Sequence, residues 1–133
     1  MGTLMEMILR LLLAAALGTI IGYQRERAKK PAGLRTHVLI CLGAALFTVV
    51  SIYGFGVASD PARVAAGVVV GIGFIGAGVI LHREGEIVAG LTTATTIWAV
   101  AGIGLAAGAG LYLISVVATA LVLAVLLVPR SIG

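Results

Sequence analysis

Gln24-Arg-Glu-Arg-Ala-Lys-Lys-Pro-Ala-Gly-Leu-Arg-Thr-His37 lies between two long apolar runs and holds five of the nine basic residues of the chain, Arg25, Arg27, Lys29, Lys30 and Arg35. A short basic loop beside an apolar span resists translocation and stays on the cytoplasmic face of a membrane. The block therefore predicts a membrane setting and an orientation, with the N-terminus outside.

Composition agrees. The 133 residues are 61% hydrophobic and only 11% charged, with a mean hydropathy of +1.21. A soluble domain carries roughly 25% charged residues, so too little polar surface exists here to coat a globule in water. The net charge of +4 does not indicate nucleic acid, because the basic residues concentrate in one loop beside a span, where they suit orientation and anionic lipid headgroups. The single cysteine, Cys41, excludes an internal disulfide framework. Arg10 and Leu11–Ile21 resemble the start of a signal peptide. The basic block that follows, and the equally apolar remainder, favour a retained first span.

Working outward from the loop, five apolar segments follow: Leu4–Tyr23, Val38–Gly54, Ala62–Leu81, Val88–Ala107 and Leu111–Val128. Their lengths suit transmembrane helices, and none alternates as a barrel strand would. The expected fold is all-α, a multipass bundle of about five transmembrane helices, N-out and C-in. In that topology the inner side collects seven basic residues (Arg25, Arg27, Lys29, Lys30, Arg35, Arg83, Arg130) and the outer loops only Arg63. Tyr23, Tyr53 and Tyr112 fall at segment ends, as an aromatic belt requires. Trp98 falls mid-segment, so either it packs inside the bundle or the fourth segment is not a simple span. A re-entrant hairpin of segments three and four is the alternative, tolerated only if buried in protein.

Gly71-Ile-Gly73-Phe-Ile-Gly76 matches a dinucleotide-binding fingerprint. No strand–helix alternation surrounds it, and Glu84 and Glu86 come too early for the acidic partner. Small residues that let helices approach in lipid explain it better. Gly67, Gly71 and Gly78 share one helix face, with Gly73 and Gly76 roughly opposite. Val68, Ile72, Ile75 and Val79 form a bulky stripe between the two faces. The third helix is therefore expected to be central, gripped on two sides, with its bulky stripe toward lipid. Gly18/Gly22 and Gly104/Gly108 repeat the same spacing.

The polar candidates are few. Asp60-Pro61 is a strong helix-start signal; its functional reading is a cation contact on the outer side, gated by Arg63. Glu6 and Arg10 can pair at i, i+4 near the outer end. Glu26, Glu84 and Glu86 could pair with Arg27, Arg35 and Arg83, or serve a divalent ion. Mg2+ needs only one or two carboxylates plus waters, so Asp60, Glu26 and Glu84 are its candidates. His37 and His82 are too isolated for a transition metal. Thr92 and Thr96 share a face of the fourth helix, for bonds to their own helix or polar contacts across helices. No nucleophile–base pair is visible, and no enzyme activity is expected.

Six stretches taken together resemble the MgtC/SapB family of bacterial inner-membrane proteins. They are Ile21-Gly-Tyr-Gln-Arg-Glu-Arg27, Pro31-Ala-Gly-Leu-Arg-Thr-His37, Cys41-Leu-Gly-Ala-Ala-Leu-Phe47, Asp60-Pro-Ala-Arg-Val-Ala-Ala66, Gly71-Ile-Gly-Phe-Ile-Gly-Ala-Gly-Val-Ile80 and Gly90-Leu-Thr-Thr-Ala-Thr-Thr-Ile-Trp98. The resemblance implies a multipass protein linked to Mg2+ homeostasis. It also marks Glu26, Arg27 and Arg35 as part of the family's motif. The virulence-associated branch supports growth at low Mg2+ and is thought to act on the F-type ATP synthase. That branch has Asn where this chain has Thr92 and Cys where it has Ala99, and it carries a soluble C-terminal domain beyond the position of Arg130. This chain is expected to be a short SapB-like member or a membrane domain alone.

Two functions compete. One is a regulator that binds other membrane proteins under low Mg2+. The other is a small oligomeric transporter or channel for Mg2+ or another cation. A transporter should place carboxylates facing a cavity at mid-membrane, and no acidic residue lies deep in any segment. The expected partners are the lipid bilayer, further copies of the chain, and a membrane protein such as an F-type ATP synthase. No tightly bound cofactor is expected, with Mg2+ the one candidate. Convergence of Glu26, Arg27, Arg35 and Glu84 would mark the inner face as a site.

Overall fold

The computed structural model describes residues 2–56, 60–81 and 87–129, all of them helix or short connection. Five helices follow in order: α1 Gly2–Arg27, α2 Leu34–Tyr53, α3 Pro61–Leu81, α4 Ile87–Gly108 and α5 Tyr112–Leu126. Four of them are long and apolar enough to cross a membrane, and α5 is a shorter apolar helix. The chain is a helical membrane bundle. Within the described residues α3 and α4 are each continuous and long enough to span, which favours two crossings over a re-entrant hairpin.

Local chemistry sets the helix ends. α1 runs four residues past its expected end, because its last turn closes on itself. Lys29 N–H bonds Glu26 O at 3.1 Å and Lys30 N–H bonds Arg25 O at 3.0 Å, with Lys29 at φ 56°, the Schellman arrangement. Gly110, at φ +86°, closes α4 the same way through Leu111 N–H to Ala106 O at 2.9 Å. α3 opens as its sequence indicated: Asp60 Oδ1 accepts the Ala62 N–H at 3.0 Å, and Pro61 takes the first helical position. Glu84 and Glu86, with His82, Arg83 and Arg130, lie outside the described residues.

The core joins α1, α2 and α4. Ala14, Leu17 and Ile21 pack with Cys41 and Ala45 and with Val100, Ile103 and Ala107. Small residues permit this closeness. A Cβ on Gly18 would meet His37 O at 2.8 Å and Cys41 Cβ at 2.9 Å, and one on Gly22 would meet Leu34 Cα at 2.8 Å. From the other side, a Cβ on Gly108 would meet Ala45 O at 2.7 Å, and one on Gly104 would strike Cys41 O. The helix gripped on two sides by glycines is thus α2.

This corrects the expectation for α3, which lies at the rim. A Cβ added at Gly67, Gly71, Gly73 or Gly78 would meet nothing within 4 Å; only Gly76 of that set approaches a neighbour, Ala94 Cβ at 3.4 Å. The bulky stripe is not uniformly turned to lipid: Val68, Ile72 and Val79 are half-buried, while Ile75 is exposed. Gly67 and Gly71 line an open cleft of about 610 Å3 facing Leu39, Ile40, Ala44 and Phe47 of α2, and Gly76 is buried beside Ala94 of α4. α1 and α4 already hold α2 at glycine distance, so α3 faces α2 mainly across this cleft. Trp98 departs from both expectations: α4 is unbroken around it, yet its side chain is 57% exposed, beside Val69 and Ile72 of α3.

Candidate functional site beneath the basic loop

The buried stripe of α1 reads Arg10, Ala14, Leu17, Gly18, Ile21, Gly22, Arg25. Its steps of three and four residues put all seven on one face, so both ends of an apolar seam are arginines. Each arginine reaches α4. Arg25, 3% exposed, donates from Nη2 to Thr93 Oγ1 at 2.6 Å and to Pro31 O at 3.1 Å. Arg10 donates from Nη1 to Gly108 O at 3.0 Å and from Nη2 to Glu6 Oε1 at 2.6 Å, and lies 5.2 Å from the Tyr53 ring. A cation at the carbonyl end of α4 also complements that helix's dipole.

Arg25 anchors a polar knot at the loop end of the bundle. Thr93 is buried on α4, and His37 is fully buried on α2. His37 Nδ1 lies 3.0 Å from Gly33 O. A carbonyl only accepts, so Nδ1 carries the proton there; Nε2 is buried with no hydrogen-bond partner among the described residues. The loop is tied down from a second side. Glu26 Oε1 accepts the Leu34 N–H at 3.0 Å, which satisfies the first open donor of α2 and places negative charge at its N-terminus. A side chain at Gly33 would displace Glu26 Oε1 from this cap.

The candidates from sequence fall in separate places. Glu26 is engaged as this cap. Arg27 is exposed and turns to Tyr23, donating to its hydroxyl at 2.9 Å with the ring 5.7 Å away. Arg35 is exposed on the first turn of α2. These three do not converge, and Glu84 lies outside the described residues. Asp60 and Arg63 are both exposed; among the described residues the ion pair is Glu6 with Arg10, not Asp60 with Arg63. Thr96 bonds its own helix at Thr92 O, 2.7 Å away, and the Thr92 side chain is exposed. No three His, Cys, Asp or Glu side chains gather to hold a metal ion among the described residues.

Sequence reasoning passed over Arg25 and Thr93. A signal was available: Arg25 continues the Gly18–Gly22 face by one more turn, whereas Arg27 falls on another. Thr93 then follows as the hydroxyl that a buried guanidinium requires.

The geometry defines a class, a helical membrane bundle in which Arg10, Arg25 and Glu26 tie helix ends to their neighbours. The chain belongs to the MgtC family, whose family model matches residues 11–133. It is 51% identical over 128 residues to "Putative magnesium transporter YhiD" of Escherichia coli K12, covering 91% of this chain and 59% of that protein. It is 47% identical over 116 residues to Protein MgtC of Salmonella typhimurium 14028s, covering 87% and 49%. To Protein SapB of Bacillus subtilis it is 41% identical over 114 residues, covering 80% and 49%. The chain spans about half to three-fifths of the length of these relatives. No solved structure matches it significantly.

Proposed function

We propose that this chain is a multipass protein of the bacterial inner membrane, N-terminus out and C-terminus in, that serves Mg2+ homeostasis as a regulator by binding other membrane proteins through α3. One observation carries the reading: Gly67 and Gly71 leave one face of the α3 backbone open, beside the cleft to α2. A helical glycine costs about 1 kcal/mol relative to alanine, and among the described residues these two bring no close contact in return. A helix approaching from outside would use that space. The described carboxylates Glu6, Glu26 and Asp60 all sit near helix ends rather than at mid-membrane, which disfavours an ion pathway. Further copies of the chain and an F-type ATP synthase are the partners this reading admits.

The test separates regulation from transport. Gly67→Leu and Gly71→Leu should leave the melting temperature in detergent within a few degrees. Both should abolish rescue of growth at low Mg2+ in a strain lacking the protein, and both should lose photo-crosslinking to a membrane partner from position 74. Purified protein in sealed liposomes should give no Mg2+ flux. Flux abolished by Asp60→Ala or Glu26→Ala would overturn the reading in favour of a transporter.

A further inference from the structure

Between α1 and α5 the bundle carries a second open feature, on a different side from α3. The C-terminal part of α1 and Leu123 of α5 border an open notch of about 740 Å3, lined by Thr19, Ile20, Tyr23, Gln24, Arg27 and Leu123. Its floor is apolar at Ile20 and Leu123, and its rim is cationic at Arg27. Among the described residues no carboxylate lines it, because Glu26 is turned away to cap α2. Arg27 uses one of its five N–H donors on Tyr23, and the Tyr23 ring lies under its guanidinium. The fork is therefore oriented, with most of its donors open to bidentate contact with a phosphate.

We propose that this notch is a binding site for an anionic phospholipid, with the phosphate on Arg27 and the start of an acyl chain along Ile20 and Leu123. The site goes beyond the regulatory reading and needs only that α1 cross a bilayer and end at its surface. The apolar floor selects a lipid over a free phosphate. Arg27 is the one charged side chain among the described lining residues, and the uncharged Gln24 amide is the acceptor beside it, so the net positive charge of the notch favours an anionic headgroup over a zwitterionic one.

The protein in nanodiscs of equal parts phosphatidylglycerol and phosphatidylcholine, released into native mass spectrometry, tests it. The native chain should retain phosphatidylglycerol preferentially. Arg27→Gln should lower that preference about fivefold, the effect of one interfacial basic residue. Thr19→Trp should lower it comparably by filling the notch while leaving every charge in place. Arg35→Gln, the same loss of charge outside the notch, should keep the preference within about twofold. Equal losses for Arg27→Gln and Arg35→Gln would overturn the site in favour of diffuse loop charge. Displacement of the lipid by soluble glycerol phosphate would overturn it in favour of a phosphate site without a chain groove.

Discussion

Two sets of glycines in this bundle share one spacing and have opposite surroundings. Gly18, Gly22, Gly104 and Gly108 press on α2 so closely that a Cβ on any of them would come within 3.0 Å of another helix, while a Cβ on Gly67 or Gly71 of α3 would meet nothing within 4 Å among the described residues. The first set explains itself: it lets three backbones meet, and the gain in packing exceeds the cost of glycine in a helix. The second set bears the same helical cost without that contact. Equal motifs thus separate into an internal seam and an external face once the neighbours are known.

The sharpest way to break this comparison is to fill the seam. Gly104→Ala and Gly22→Ala each force two backbones apart and should destabilise by about 2–3 kcal/mol, the usual range for overpacking, read as a lowered melting temperature in detergent. If α2 can shift without loss, the seam is not what holds the core. Arg10→Ala should cost about 2 kcal/mol, because a charged hydrogen bond to Gly108 O is lost, and thermal melts with limited proteolysis of the α4–α5 turn would read it. Glu26→Ala should cost about 1 kcal/mol, as lost caps do, with faster hydrogen exchange confined to the first turn of α2. Gly71→Ala should act in the opposite direction, stabilising by about 0.4–1 kcal/mol while weakening growth rescue. Destabilisation there would place an unseen contact on α3 within the chain itself.

The helices were legible because run length in an apolar chain leaves few alternatives, and Asp60-Pro61 was legible because capping is local. The placement of α3 was not. A face of small residues says that something approaches closely, but it does not say whether that neighbour is in the same chain. The polar site was half legible for a related reason. Charge counts drew attention to the whole basic loop and treated its arginines alike, although Arg25 and Arg27, two positions apart, point to different faces of one helix. Arg25 is buried against Thr93, and Arg27 looks outward. Thr92 and Thr96 stood out by sharing a face, yet the hydroxyl that reaches across helices is the one between them.

The two buried arginines of α1 are fifteen positions apart, and so are their partners on α4, Thr93 and Gly108. At 1.5 Å per residue both intervals measure about 22 Å. Two antiparallel rods pinned at matched points cannot slide past each other by a turn without releasing both pins at once. Sliding of α1 against α4 is thereby opposed at both ends of the seam. α3 is held differently, by the Ser51 hydroxyl on Pro61 O at 3.4 Å and by the approach of Gly76 to Ala94, so a partner seated on it would bear on these contacts rather than on the two pins.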